Sequence, residues 1–286
     1  MNGIIIIDKP QEWTSNDVVS RLRRVFNTRR IGHGGTLDPM ATGVLPVFVG
    51  RATRGVEFFE HAEKTYEAVL RLGLTTDTED ITGTVLTEVP VSVTDEQVEG
   101  ALDAFRGEIM QVPPMYSALK VNGQKLCDLA RKGKTVERQP RPITIYELTL
   151  LDRGENTLCL RVRCSKGAYI RTLCKDIGEA LGCGGCMASL HRVSAGEYTI
   201  DEAVPLQELL DTAQPEKYLR SVDTMFRNCP SLTLTANQEK RCRNGNTFSV
   251  KLPEGTYRAY SQSGEFLMLA NVEAGVMVTV KSFFSI

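Results

Sequence analysis

Apolar residues recur with two different spacings along the chain, and the spacing sorts it into elements. In "KTYEAVLRLG", Tyr66, Ala68, Leu70 and Leu72 fall on every second position and predict a strand with one buried face. The strand pattern returns in "PRPITIYELTLLD" and in "NTLCLRVRCSKG", where Leu158, Leu160, Val162 and Cys164 face one way. In "SNDVVSRLRRVF" the spacing is helical, with Ser15 or Asn16 as the expected cap. "TDEQVEGALDAFRGEI" reads as a helix capped by Thr94. "AYIRTLCKDIGEALG" reads as an amphipathic helix stopped by Gly182, which puts Tyr169 and Arg171 at a strand-to-helix junction.

The opening "MNGIIIIDKP" has four isoleucines and no basic flank, so it reads as a buried strand rather than a signal peptide. Ile200 to Arg227 reads as helical connection. Beyond about Asn228 short β segments alternate with Gly-bearing turns, which predicts a small separate β-rich module.

Composition is that of a soluble globular protein, at 42% hydrophobic and 24% charged, and no apolar run approaches a bilayer's thickness. Eight cysteines without an export signal point to reduced thiols in the cytoplasm. The net charge of -1 conceals segregation. Arg21 to Arg54 holds seven arginines and one acid; Lys120 to Arg141 holds seven basic residues and two acids. Asn156 to Lys175 holds five basic residues and no acid, while nine acids gather between Asp77 and Glu108. Such blocks can present a positive surface to a polyanion, or be unrelated solvated faces.

The one acid of the first block, Asp38, sits in "GHGGTLDPMATG". This is no phosphate loop, because neither the Gly-Lys-Ser/Thr ending nor the G-x-G-x-x-G spacing is present. "CGGC", Cys183 to Cys186, has zinc or redox spacing but lacks a second close pair facing the same way, so a tight turn is the plainer reading. No serine or cysteine stands in a nucleophile motif. Two readings of Asp38 remain: a structural Asp-Pro turn, or a covalent nucleophile kept ionised by a nearby cation. A two-carboxylate glycosidase scheme finds no second acid here.

"GHGGTLDPMATGVLPV" resembles the catalytic motif of the bacterial tRNA pseudouridine-55 synthases, the TruB family. "GIIIIDKPQEWTSNDVV", "EKTYEAVLRLGLTTDTEDITG", "QVPPMYSALKVNGQKL", "RPITIYEL" and "SKGAYIRTLCKDIGEALGCGG" are similar to the same family in order and spacing, from Gly3 to about Tyr198. The resemblance implies an α+β fold: a mixed or antiparallel sheet with helices over residues 1–228, with an RNA-binding insertion at about 75–141. A small PUA-like β-rich module would follow over 229–286. The implied activity is conversion of uridine 55 in the tRNA T-loop to pseudouridine, with neither cofactor nor metal.

By resemblance Asp38 is the nucleophile, Tyr66 stacks on the flipped-out base and is a candidate for proton transfer, and Arg171 pairs with Asp38. His33 matches a residue that helps open the T-loop; Lys166, Tyr169 and Leu190 match pocket residues, as does Asp80. His191-Arg192 stands where the family usually has two basic residues, often arginines, so His191 is expected to weaken an RNA contact there or to make it pH-dependent. The implied partner is tRNA through its T-stem-loop, with no membrane and no protein partner required, for a monomer in the cytoplasm. The competing class is a non-catalytic RNA-binding or tRNA-folding protein using the same basic cleft. On either reading, tRNA affinity is expected to fall with salt at a log–log slope of roughly −0.7 to −0.9 per phosphate neutralised. Filter binding over a salt series measures it, and a flat response would remove the polyanion argument.

Overall fold

Gly3–Lys9 is a strand buried on both faces, as an unbroken isoleucine run requires, and it lies near one edge of a ten-stranded mixed sheet. A computed structural model describes residues 1–121 and 123–284. Asn122, Ser285 and Ile286 lie outside the described residues, as do the side chains of Lys120 and Lys125 in the predicted basic block. The main path of the sheet runs Val204–Pro205, Gly3–Lys9, Thr42–Val49, Gly185–Ala195, Lys64–Leu72, Thr157–Cys164, Arg141–Arg153 and Gly107–Gln111. Most pairings are antiparallel; Gly185–Ala195 runs parallel to Thr42–Val49, and Val204–Pro205 parallel to Gly3–Lys9.

The register of the central strands fixes which side chains share a face. Tyr66 lies opposite Arg192 on one side and Val162 on the other, and Ala68 lies opposite Leu190. Because a strand alternates, Lys64, Tyr66, Ala68, Leu70 and Leu72 all point to the same face, and all five are buried. Against that sheet pack the Ser15–Val25 and Ile170–Ala180 helices, through Val18, Leu22, Leu173 and Ile177.

Three local expectations change. The first helix is capped by Thr14, whose side chain accepts from the Asp17 N–H while the Asp17 carboxylate accepts from the Thr14 N–H. That reciprocal box outcompetes Ser15, whose hydroxyl is buried and used elsewhere. The Asp95–Ala104 helix does begin after Thr94, but Gly107 in the left-handed region ends it and Gly107–Gln111 joins the sheet as an edge strand. Beyond Asn228 a helix, Ala236–Arg243, stands beside a separate five-stranded sheet.

That second sheet does not float free. Phe226 packs edge-on against Phe58 at 5.3 Å and meets Phe266 and Phe283 at 6.2 and 6.1 Å, so one aromatic cluster joins the two sheets. Among the described residues no helix is long and apolar enough to cross a membrane. Phe226→Ala is expected to cost about 3–5 kcal/mol in a urea melt, because the ring fills a shared core that cannot collapse around the void. An unchanged urea midpoint would show that the two sheets do not depend on each other.

Candidate functional site

The Gly32–Gly43 segment is held almost wholly by its backbone. Gly34 donates to the Pro46 carbonyl at 2.8 Å, and Glu12 donates to the Pro39 carbonyl at 2.8 Å. Buried Ser15 clasps Leu37 from both sides, its Oγ accepting from Leu37 N–H at 2.9 Å and donating to the Leu37 carbonyl at 3.2 Å. Arg192 donates through Nη2 to the Gly35 carbonyl at 3.1 Å, and Lys9 donates through Nζ to the Pro39 carbonyl at 3.3 Å. Gly43 sits at φ +97°, where a Cβ would collide with the Arg192 carbonyl oxygen, so only glycine lets these strands approach. Leu37 and Ala41 plug the core, with Met40 packed against it, while the Asp38 side chain takes no part in holding the loop's backbone.

Asp38 points into a cleft of about 410 Å³, large enough for a nucleoside. Arg171 Nε donates to Asp38 Oδ2 at 2.9 Å, and the arginine is 7% exposed in its side chain against 36% for the acid. The Ile170–Ala180 helix puts Arg171 in its first turn. The junction is fixed by buried Gln111, which donates to the Tyr169 carbonyl at 3.0 Å and accepts from the Tyr169 N–H at 2.8 Å. The rest of the guanidinium is also committed: Nη1 donates to the Thr78 carbonyl at 3.2 Å and Nη2 to the Tyr116 carbonyl at 2.8 Å. Burial pushes the Asp38 carboxyl above its ordinary pKa of 3.8, and Arg171 pulls it back without cancelling that effect. A carboxylate of raised pKa is the stronger nucleophile and base.

The structure brings Asp38, Arg171, Tyr66, His33, Lys166, Tyr169 and Leu190 together in this one cleft. Tyr66 and Leu190 rise from adjacent strands of the floor, both nearly buried, and burial raises the Tyr66 hydroxyl's pKa. His33 is half-buried, and its Nδ1 has no hydrogen-bond partner among the described residues. Burial, helped by the nearby Arg192 charge, lowers its pKa and favours the neutral ring. Lys166 is exposed at the rim, 3.4 Å from His61 Nε2. Asp80 does not line the cleft. It is buried behind Arg171, 3.9 Å from Nη1, and its Oδ1 accepts from Thr78 Oγ1, Thr82 Oγ1 and Thr82 N–H at 2.6 to 3.0 Å.

Arg192 is 1% exposed and lines the cleft. His191 is engaged with Thr42 Oγ1 at 2.8 Å through Nδ1. Sequence reading passed over Lys9, Lys64 and Gln111 and took Ser15 only for a helix cap, though all four are buried polar residues around the site. Their only signal was a polar residue inside an apolar pattern. All eight cysteines are free, with Cys183 in a turn and Cys186 buried in a strand. Among the described residues no group of His, Cys, Asp or Glu is gathered as a metal site.

A loop aspartate, an arginine from the first turn of a helix and a tyrosine from a central strand of the mixed sheet thus meet in one nucleoside-sized cleft. The TruB family pseudouridylate synthase N-terminal domain matches residues 23–170, and the tRNA pseudouridylate synthase B C-terminal domain matches residues 171–224. The chain belongs to the TruB family of pseudouridylate synthases and is an isomerase. It is 46% identical to tRNA pseudouridine synthase B of Ralstonia pickettii over 258 residues, covering 88% of this chain and 81% of that one. It is 42% identical to tRNA pseudouridine synthase B of Francisella philomiragia, covering 99% and 95%. The same fold is found in a Cbf5-Nop10-Gar1 complex, at TM-score 0.75 and 24% identity over 99% of this chain and 85% of that one. A second such neighbour is an H/ACA RNP bound to a substrate RNA containing 2'-deoxyuridine, at TM-score 0.74 and 22% identity, covering 99% and 85%.

Ser15→Ala is expected to cost about 1–3 kcal/mol in chemical denaturation, since it strands the buried Leu37 N–H. No loss would show that the loop is held without the Ser15 clasp.

Proposed function

We propose that this enzyme isomerises uridine 55 in the T-loop of tRNA to pseudouridine, with Asp38 as the nucleophile on a flipped-out uridine. The observation that carries the reading is the Asp38–Arg171 pair at 2.9 Å, inside a cleft that Tyr66 and Leu190 floor. A base in an RNA loop is stacked, so its glycosidic bond is reached only after extrusion into such a pocket. Tyr66 offers the aromatic face, worth about 1–3 kcal/mol per stacked base, and Leu190 the apolar wall beside it.

The remaining residues take roles their positions suit. Arg171 keeps Asp38 ionised and aimed, and Asp80 with its three donors fixes Arg171 from behind, as a positioning residue rather than a substrate contact. Neutral His33 at the cleft edge enters the space vacated in the T-loop. Lys166 and Tyr169 border the nucleotide, with Lys166 exposed at the rim to meet phosphate. The β module over residues 229–286 and the insertion at about 75–141 extend the RNA surface from the catalytic part, 1–228. The module is PUA-like in this reading. The protein works as a monomer on tRNA in the cytoplasm.

Asp38→Asn is expected to abolish pseudouridine formation on a synthetic T-stem-loop, by more than about 10³-fold, while RNA binding stays within a few-fold. Nearest-neighbour or mass analysis of the RNA reads the product. Retained product would remove Asp38 as nucleophile, and a wild-type protein that binds the RNA without converting it would favour the non-catalytic reading. Because the carboxylate must be ionised, the single-turnover rate should fall as pH drops through the Asp38 pKa. The acid limb should then lie above the ordinary 3.8.

A further inference from the structure

Beneath the proposed uridine position the cleft carries two buried cations that the Asp38–Arg171 pair does not neutralise. Strand register puts them there: Arg192 lies opposite Tyr66, and Lys64 lies two residues before Tyr66 on the same face. Lys64 is 9% exposed and Arg192 1%, yet both line the cleft, close to Gly35. A Cβ on Gly35 would stand 3.4 Å from Arg192 Nη1 and 3.8 Å from Lys64 Cε.

Arg192 spends Nε on the Val44 carbonyl at 2.7 Å and Nη2 on the Gly35 carbonyl, and both bonds leave Nη1 uncommitted. Lys64 gives one proton to the Ala62 carbonyl at 2.6 Å. Neither makes an ion pair among the described residues. Glu60 acts on Lys64 only weakly, and the thiol of Cys164, which faces Lys64 across the sheet, is pushed up to about 12 and stays neutral. Burial lowers Lys64 itself to about 8, which leaves it charged at neutral pH in a place that disfavours charge. Two desolvated cations without a counter-ion are costly unless a ligand supplies the negative charge.

We propose that Lys64 and Arg192 hold the negative charge that develops on the uracil ring as the reaction proceeds. This rests on the reaction proposed above. If Asp38 attacks C1′, the C1′–N1 electron pair leaves with the base, which becomes an anion, while the sugar is held as an ester of Asp38. C5 then displaces the carboxylate at C1′, the C5 proton is lost, and N1 gains one, so the product is an isomer. If Asp38 instead adds to C6, the ring's π electrons move to O4 and the base again carries one negative charge. Either route places an anion over Tyr66, beside whose hydroxyl the Arg192 guanidinium lies. Preorganised charges in a dry site act on such an anion more strongly than water does.

The test compares wild type with Lys64→Met on T-stem-loops carrying uridine or 5-fluorouridine at the target, with glycosidic cleavage measured in single turnover at saturating protein. Fluorine withdraws electrons and stabilises the anion unaided. With uridine the variant should lose about 10²-fold in rate. With 5-fluorouridine the loss should shrink to roughly tenfold or less, because less of the charge is left for the protein to hold. RNA affinity should stay within a few-fold, and the melting temperature should hold or rise, since an apolar replacement removes a buried charge. Equal losses on both RNAs would overturn the proposal, as would weakened binding with an intact saturated rate, which marks a phosphate contact. A wild-type protein that cleaves neither RNA would overturn the reaction itself together with this inference, and is told apart because the failure does not depend on Lys64.

Discussion

The site is organised around one ion pair, Arg171 Nε to Asp38 Oδ2 at 2.9 Å. Neither partner is free to leave it. Arg171 is anchored to the carbonyls of Thr78 and Tyr116 and backed by Asp80, while the loop bearing Asp38 is tied by Ser15, Lys9 and Arg192. Almost every fold feature near the cleft serves this arrangement. The sheet register supplies Tyr66, Leu190 and the buried cations, and Gln111 fixes the turn from which the Arg171 helix starts.

The electrostatics divide the cleft into two parts. At one wall an acid and a base neutralise each other, with burial holding the acid's pKa up and the arginine holding it down. At the floor two cations remain uncompensated. A site that stored only a structural ion pair would have no use for the second feature. Its presence fits the proposed chemistry, in which a neutral base becomes anionic for a moment on either route.

Much of this was legible in the sequence, and the limits have physical causes. Strict alternation from Tyr66 to Leu72 fixed both strand and face, because a slip by one residue would expose the whole apolar set. The helix bearing Arg171 was equally plain, since its stripe from Ile170 to Ile177 is unbroken. The TruB resemblance named the residues that meet in the cleft, but pattern alone could not show that Asp80 stands behind Arg171 instead of lining the cleft. Ladder register and burial decide that, and both are tertiary. Pattern could not place Arg192 either: a basic residue is ordinarily found at the surface, and only the pairing of Tyr66 with Arg192 carries it inside. The Ala236–Arg243 helix escaped notice because four of its eight residues are charged and it buries little besides Cys242.

Partial burial and Arg171 act in opposition on the Asp38 carboxylate, the balance on which its proposed role as nucleophile rests. Carbon-13 NMR of labelled aspartate, titrated with pH in wild type and Arg171→Met, reads this directly, with Asp38 assigned by its loss in Asp38→Asn. Asp38 should titrate above 3.8 in the wild type and higher still in the variant, because removing the guanidinium leaves burial unopposed. A carboxylate that titrates at the same pH in both proteins, or lower in the variant, would contradict the account.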